Sequence, residues 1–503
     1  MENVSRGLLL GALLLEPAEG WRGSAAHARG AVRSAHARAP PICAADAGPS
    51  AAAPARRGGA ARAGGDGPSS WLRAPSDMDD SRRRESELEA WLTSHGVYLA
   101  ATSSWGAAPH PLGIASQTKD QDLQPSGRGL LATRGVRQGD ALFRVPEKVC
   151  ITRRNAVAVL GADIATPALG EHETLALLLM RERALGAASF WAPYLNVLPS
   201  TAAEVGASFI WSDAELALLQ GSAALNEARE FAARLRTSYS ELAAPGGPID
   251  TMAARALAPA DAMSFEQFEW AMAVLFSRAI NMREMDALVL APYADLLNHS
   301  PGSNAIFEAE KPWASDGYEI VCYADRMYGQ MEQVYLSYGK RSNQELLLLY
   351  GFVIDRNPFD EVVLRVSLDP DATPRYAEKS AFLRRGGRSD ALSFPLRVDR
   401  FPDELIQFTR FACMGPEEGA LETADYTRPL SVANEEAART AVVDACRAAL
   451  AAYPRSLDED RRLLADKGAR ALLGGRGYAA LRLCMNEKAI LERAIRAVNA
   501  LAW

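Results

Sequence analysis

Val334-Tyr335-Leu336-Ser337-Tyr338-Gly339, running through Lys340-Arg341 into Ser342-Asn343-Gln344-Glu345 and on to Tyr350-Gly351-Phe352, is the stretch from which the rest of the chain can be read. Residues Glu332 to Tyr338 have the β-branched and aromatic composition of a strand, and Gly339 punctuates it. Ser342 followed by Glu345 three residues later is a capping box, in which each side chain satisfies an exposed backbone N–H, so a helix should open there and carry Leu346 to Tyr350. Tyr338 stands immediately before the glycine and 12 residues before Tyr350, a placement that suits a working side chain better than one that merely caps a strand.

Working outward, Ala287–Leu290 and Tyr318–Tyr323 read as further strands. On the amino-terminal side, Ser126-Gly127-Arg128-Gly129-Leu130-Leu131-Ala132-Thr133 is a glycine turn feeding a strand, and Gly139-Asp140 turns the chain into a strand over Ala141–Val145. Between these β segments, residues of about 155 to 275 carry helical apolar spacing at Thr174–Leu185, Ala214–Leu219, Glu227–Leu235 and Phe265–Phe276. One β module therefore brackets a helical insert. Beyond about residue 370 helices dominate, over Pro402–Cys413, Glu435–Ala452, a capping box at Ser456–Glu459, and a face of Ile490, Leu491, Ala494, Ile495 and Val498. The expected fold class is α+β, with three parts: residues 1–80, a module over 85–355, and an all-α domain over 370–503.

Residues 1–80 are rich in Ala, Gly, Pro and Arg, contain no lysine and show no apolar period, which predicts disorder. Folding is expected to begin near Ser86, with Leu88, Trp91 and Leu92 on one side of a short helix ending at Gly96. The apolar run Gly7–Leu15 is far shorter than the roughly 20 residues that span a bilayer. That run and the Arg-rich, Ala-rich stretch after it have some signal- or transit-peptide character, which Glu2, Glu16 and Glu19 spoil. Localisation stays open: cytoplasmic, or plastid or mitochondrial if the segment is a targeting peptide.

A formal net charge of −7 argues against holding nucleic acid by neutralising many phosphates. The six cysteines, at 43, 150, 322, 413, 446 and 484, form no CxxC pair, and the six histidines are dispersed, so we expect reduced thiols and no metal.

Three segments taken in order resemble the SET methyltransferase family, in the branch typified by the Rubisco large-subunit lysine methyltransferases and the actin-histidine methyltransferase. They are the Ser126–Leu130 turn, Ala294-Asp295-Leu296-Leu297-Asn298-His299-Ser300, and the Val334–Gly339 stretch with its continuation to Phe352. Ser189-Phe190-Trp191-Ala192-Pro193-Tyr194-Leu195 with Leu198-Pro199 resembles the branch's signature within its helical insert. The resemblance covers roughly residues 85 to 500. It implies a SET β-fold in which the Asn-His and Tyr segments cross as a pseudoknot, a helical insert, and a carboxy-terminal helical domain that helps hold a protein substrate. It also implies S-adenosyl-L-methionine as cofactor and a non-histone protein as partner, with no nucleic acid, no membrane and a monomeric enzyme.

Methyl transfer from a sulfonium is an in-line displacement that needs the methyl held between sulfur and nucleophile, water excluded and the amine uncharged. An ammonium about 4 Å from the sulfonium would feel roughly 4 kcal/mol of repulsion at an effective dielectric near 20, about 3 pK units, which brings a lysine close to neutrality. By resemblance, Tyr338 is the catalytic tyrosine beside the transferring methyl. Ser126, Gly127, Arg128, Arg278, Asn298, His299 and Tyr350 bind cofactor, with Arg278 pairing its carboxylate. Asp295, Tyr338 and Tyr350 meet the substrate, Asp295 as a carboxylate near the entrance.

Two positions depart from the family pattern. Ile280 follows Ser277-Arg278-Ala279 where the lysine branch often has Phe, and Met331 precedes Glu332 where a glycine is usual, which suggests a different turn before the tyrosine strand. The short link Gly339-Lys340-Arg341 is as in the actin-histidine branch, but the extra amide expected there after the arginine is missing. Lysine N-methylation is the main reading and histidine N-methylation the alternative within enzymes. A catalytically silent scaffold of the same fold is the alternative outside them, to be marked by loss of Tyr338 or Asn298; both are present.

Overall fold

The computed structural model describes residues 75–99, 110–119, 125–305, 307–313 and 317–500. The low-complexity stretch lies outside these up to residue 74. Residues 75–80 do not share its expected disorder: they are the first turns of a helix over Pro75–Ser94, which starts well before Ser86. Apolar period could not reveal those turns, because local charge supports them, with Arg83 pairing with Asp80 and Glu87, and Arg84 with Asp80, at helical spacing.

The β module holds β1 (Leu112–Lys119), β2 (Pro125–Ala132), β3 (Ala141–Pro146), β4 (Ile280–Met282), β5 (Ala287–Val289), β6 (Asn298–His299), β7 (Phe307–Glu310), β8 (Glu319–Tyr323) and β9 (Gln333–Leu336). Its main sheet has the order β1-β2-β9-β6. β9 runs antiparallel to β2, with Leu130 opposite Val334, and parallel to β6, with Asn298 opposite Tyr335 and His299 opposite Leu336. Chain segments far apart in sequence thus become neighbours through one short strand. A second sheet, β3-β8-β7, is antiparallel, and β4 and β5 form a separate hairpin. Because β9 ends at Leu336, Tyr338 lies past the strand and not within it.

Between β3 and β4 run the insert helices, including Glu171–Leu185, Ala224–Leu242 and Phe265–Arg278. Residues Thr174–Met180 and Trp270–Phe276 are buried in unbroken runs, so these two helices are wrapped on all sides by the core. The capping box at Ser342 and Glu345 opens the helix Asn343–Tyr350.

The carboxy-terminal part has its own core, from Leu364 to Val498. It is helical, but it also carries a two-stranded antiparallel sheet, β10 (Glu361–Ser367) with β11 (Ala391–Arg397), that the all-α expectation lacked. β11 contains Pro395 on an edge, which masks it as a strand in the sequence. The last helix, Gly474–Asn499, seats this part on the insert: Ala479, Ala480 and Leu483 pack with Trp211, Leu216, Leu219, Leu347 and Val353. Arg476 pairs with Glu215 at 2.8 Å and Arg482 with Asp355 at 2.6 Å across the same junction. No helix among the described residues is long and apolar enough to cross a membrane.

Candidate active site

A cavity of about 620 Å³ opens where the main sheet, the first helix and the insert meet. Ser126, Gly127, Arg128, Arg278, Asp295, Asn298, Tyr338 and Tyr350 all line it, and His299 lies directly behind Tyr338. The expected site residues, spread over more than two hundred positions of chain, are therefore gathered at one place.

Tyr338 is held from three sides. His299 stacks on one face at 4.9 Å and Tyr350 on the other at 4.9 Å, while the phenol donates to the Leu297 carbonyl at 2.8 Å. The Tyr338 N–H donates to His299 Nδ1 at 3.0 Å, so this nitrogen is the acceptor and the ring proton sits on Nε2. Burial lowers the His299 pKa to about 4, which keeps the imidazole neutral. Burial also pushes the Tyr338 phenol well above its ordinary value, so it stays protonated and presents its oxygen as an acceptor.

Asn298 and the glycine segment interlock through Thr118, which the sequence did not single out. Asn298 Nδ2 donates to Thr118 Oγ1 at 3.0 Å and to the Arg128 carbonyl at 3.1 Å, and the Thr118 hydroxyl donates to the Gly127 carbonyl at 2.9 Å. Gly129 makes this possible: a Cβ there would stand 2.7 Å from Asn298 Nδ2 and 3.0 Å from Gln333 Nε2. Gly127 has φ +74°, a left-handed conformation that glycine adopts without strain, and it lies within β2 where the register against β1 shifts around Thr118, so the turn expected at Ser126–Leu130 is a bulge inside a strand.

Arg278 ends the Phe265–Arg278 helix, and Asp295 sits on the short turn Ala294–Leu296. Asp295 does not stand free at an entrance, as expected. Its side chain is fully buried, accepting from Tyr194 Oη at 2.8 Å and from Arg278 Nη1 at 3.3 Å, because the insert delivers Tyr194 to it. Burial works against both charges; at Arg278 the Asp295 carboxylate, together with Tyr194 and Tyr338, outweighs it and holds the guanidinium above its usual range. Arg278 Nε and Asp295 Oδ1 are left buried without a partner. An unpartnered donor and an unpartnered acceptor within one ion pair suit the carboxylate and ammonium of an amino-acid group.

The loop preceding this turn is strained: Tyr293 has φ 74° and ψ −45°, yet is fully buried between His110 and Phe143. Such backbone costs on the order of 1–3 kcal/mol and persists because surrounding packing over-determines it. Met331, the departure noted before the tyrosine strand, adopts φ 65°, a left-handed backbone in which glycine would be unstrained. Arg128 spends its guanidinium on protein partners at the cavity wall, giving Nε to Glu85 at 2.9 Å and Nη1 to the Val197 carbonyl at 2.7 Å. Asp80, Ser81 and Arg84 of the first helix, Asn196–Ser200 of the insert, and Phe352 complete the wall. Among the described residues no cluster of His, Cys, Asp or Glu is placed to hold a metal.

Residues 127–339 match the family model of the SET domain, and residues 370–491 match that of the Rubisco LSMT substrate-binding domain. The actin-histidine N-methyltransferase of Homo sapiens is 28% identical over 411 residues, covering 75% of this chain and 65% of that protein. That of Canis lupus familiaris is 29% identical over 412 residues, covering 75% of this chain and 66% of that protein. The chloroplastic [fructose-bisphosphate aldolase]-lysine N-methyltransferase of Arabidopsis thaliana is 26% identical over 388 residues, covering 73% of this chain and 76% of that protein. This chain thus spans about 65% of the length of the actin-histidine N-methyltransferases it matches. Among solved structures, the SET domain of LSMT bound to lysine and AdoHcy superimposes with a TM-score of 0.62 at 24% identity, covering 83% of this chain and 91% of that one. Rubisco LSMT bound to AdoMet gives 0.61 at 23% identity over the same shares. The fold is that of these proteins.

Proposed function

We propose that this chain, which carries a SET domain followed by a Rubisco LSMT substrate-binding domain, is an S-adenosylmethionine-dependent N-methyltransferase that modifies a lysine of a non-histone protein. One observation carries the reading: Tyr338, stacked between His299 and Tyr350, shares a cavity with the orphaned donor of Arg278 and the open bulge at Gly127. The cofactor, when bound, supplies a methyl group on a sulfonium.

The chain's own residues supply the rest. Arg278 would take the cofactor carboxylate, Asn298 and Asp295 its ammonium, and the bulge at Gly127 lets backbone approach closely because no Cβ stands in the way. The Tyr338 oxygen, with its hydrogen committed to Leu297, accepts an N–H of the arriving amine and fixes its direction. Tyr338 is no base, since burial keeps it protonated. Asp295 is tied to Tyr194 and Arg278, Glu204 accepts the Ser200 N–H at 2.9 Å, and Asp80 pairs with Arg83 and Arg84. The lysine proton therefore leaves to solvent before transfer. The aromatic wall of Tyr338, Tyr350 and Phe352, backed by His299, suits the aliphatic stem of lysine and its cationic product. Histidine as acceptor is the second reading, favoured by the names of several relatives.

The test is to incubate the full chain with methyl-labelled S-adenosylmethionine and cell protein, hydrolyse the products, and separate methyl-lysine from methyl-histidine. Tyr338→Phe should lower transfer about hundredfold while leaving S-adenosylhomocysteine affinity within about threefold. Tight cofactor binding without any transfer would establish the scaffold reading instead.

A further inference from the structure

The bulged segment Ser126–Arg128 of β2 lines the cavity but is not held there by packing at Gly127, since nothing lies within 4 Å of where a Gly127 Cβ would be. On the sheet side Thr118 and Asn298 grip it by hydrogen bonds. On the other side the restraint comes from the first helix. Glu85, 7% exposed, accepts from Arg128 Nε at 2.9 Å, from Ser116 Oγ of β1 at 3.2 Å and from Ser81 Oγ of its own helix at 3.1 Å. The Arg128 guanidinium reaches on to the Val197 carbonyl at 2.7 Å, in the Asn196–Ser200 wall. One buried carboxylate thus joins the helix, β1, the glycine bulge and, through Arg128, the insert, all around the same cavity.

We infer that Glu85 is a positioning residue of the cofactor site: acting through Arg128, it holds the Ser126–Arg128 segment and the Val197 wall at the spacing the ligand needs. This rests on the methyltransferase reading above. Glu85 itself does not line the cavity, so its contribution is to geometry and not to contact. A charge-assisted, nearly dry pair is well suited to that task, because its bond lengths are tightly constrained and it is little screened by salt.

The experiment is calorimetric titration of S-adenosylhomocysteine into the full chain as wild type, Glu85→Ala and Glu85→Gln, with the ligand-free melting temperature of each. Glu85→Ala should raise the dissociation constant about tenfold. Glu85→Gln, whose amide oxygen still accepts from Arg128, should stay within about threefold of wild type. Should Glu85→Ala fail to fold, Arg128→Lys carries the same test, because an ammonium on a flexible stem does not span Glu85 and Val197 as the guanidinium fork does; the same tenfold loss is expected. Wild-type affinity in Glu85→Ala or Arg128→Lys, or a dissociation constant that rises equally in the Gln and Ala variants in step with melting temperature, would overturn the assignment. Absence of binding by folded wild type would instead bring down the methyltransferase reading, and this assignment with it.

Discussion

Arg410 with Glu435 and Arg278 with Asp295 are both arginine–carboxylate pairs withdrawn from water, and they are finished differently. In the carboxy-terminal domain, Arg410 gives Nε to Glu435 at 2.5 Å, Nη2 to the same carboxylate at 3.0 Å and Nη1 to the Tyr426 carbonyl at 3.0 Å. In the cavity, Arg278 reaches Asp295 through Nη1 alone, at 3.3 Å to Oδ2 and 3.1 Å to the backbone oxygen, and leaves Nε and Asp295 Oδ1 unpaired. A closed fork repays its desolvation internally and has nothing left to offer a ligand. An open one keeps donors and acceptors in reserve, and the difference separates a pair that holds the fold from a pair that serves a site.

The strongest test of this contrast is Arg410→Ala, which strands the Glu435 carboxylate in the domain core and should cost about 3–5 kcal/mol of stability in urea unfolding. Cofactor affinity of the folded protein should not change. Arg278→Lys should behave in the opposite sense: the dissociation constant for S-adenosylhomocysteine rises about hundredfold, about 2.7 kcal/mol, with an unfolding free energy within about 1 kcal/mol of wild type. Equal loss of stability in both variants would erase the distinction.

A third buried carboxylate sharpens it. Glu487 has neutral partners only, accepting from Ser222 at 2.8 Å and Tyr453 at 2.9 Å, and burial raises its pKa to about 7. Because the folded value lies above the unfolded one, the protonated form favours the fold. Its contribution is full below about pH 4.5 and is lost as pH rises through about 7. Stability should therefore fall by about 3 kcal/mol across that window, and Glu487→Gln should flatten the profile. The smallest effect is expected at Met331, where a glycine relieves a left-handed backbone on an exposed turn: Met331→Gly should stabilise by up to about 1 kcal/mol in thermal unfolding, with no change in cofactor affinity.

The legible parts of the fold were those with a local cause. Ser342 with Glu345 and Ser456 with Glu459 form the capping boxes their spacing requires. Gly127 takes the left-handed conformation open to glycine, but inside β2 at a bulge against β1, so the turn expected there is a bulged strand; the insert helices form where expected, although two of them are buried on every side. Where the local cause was charge or an edge position the reading fell short. The first helix begins at Pro75 on ion pairs rather than on an apolar stripe, and β10 and β11 pair in a region whose composition favours helices.

The sequence by itself determined which chemical groups are present and in what order: an Asn-His pair, a tyrosine before a glycine, an arginine at a helix end, and no clustered metal ligands. Their resemblance to a known family named the expected cavity residues. Only tertiary structure decided how those groups are used. It turned Asp295 into a buried partner of Tyr194 and Arg278, tied the Arg128 guanidinium to Glu85 and Val197, and brought in Thr118 to hold the bulge at Gly127. The physical reason is that each of these bonds joins residues on different elements. Its existence depends on distances set by packing of the whole core, and no local periodicity or propensity records such distances.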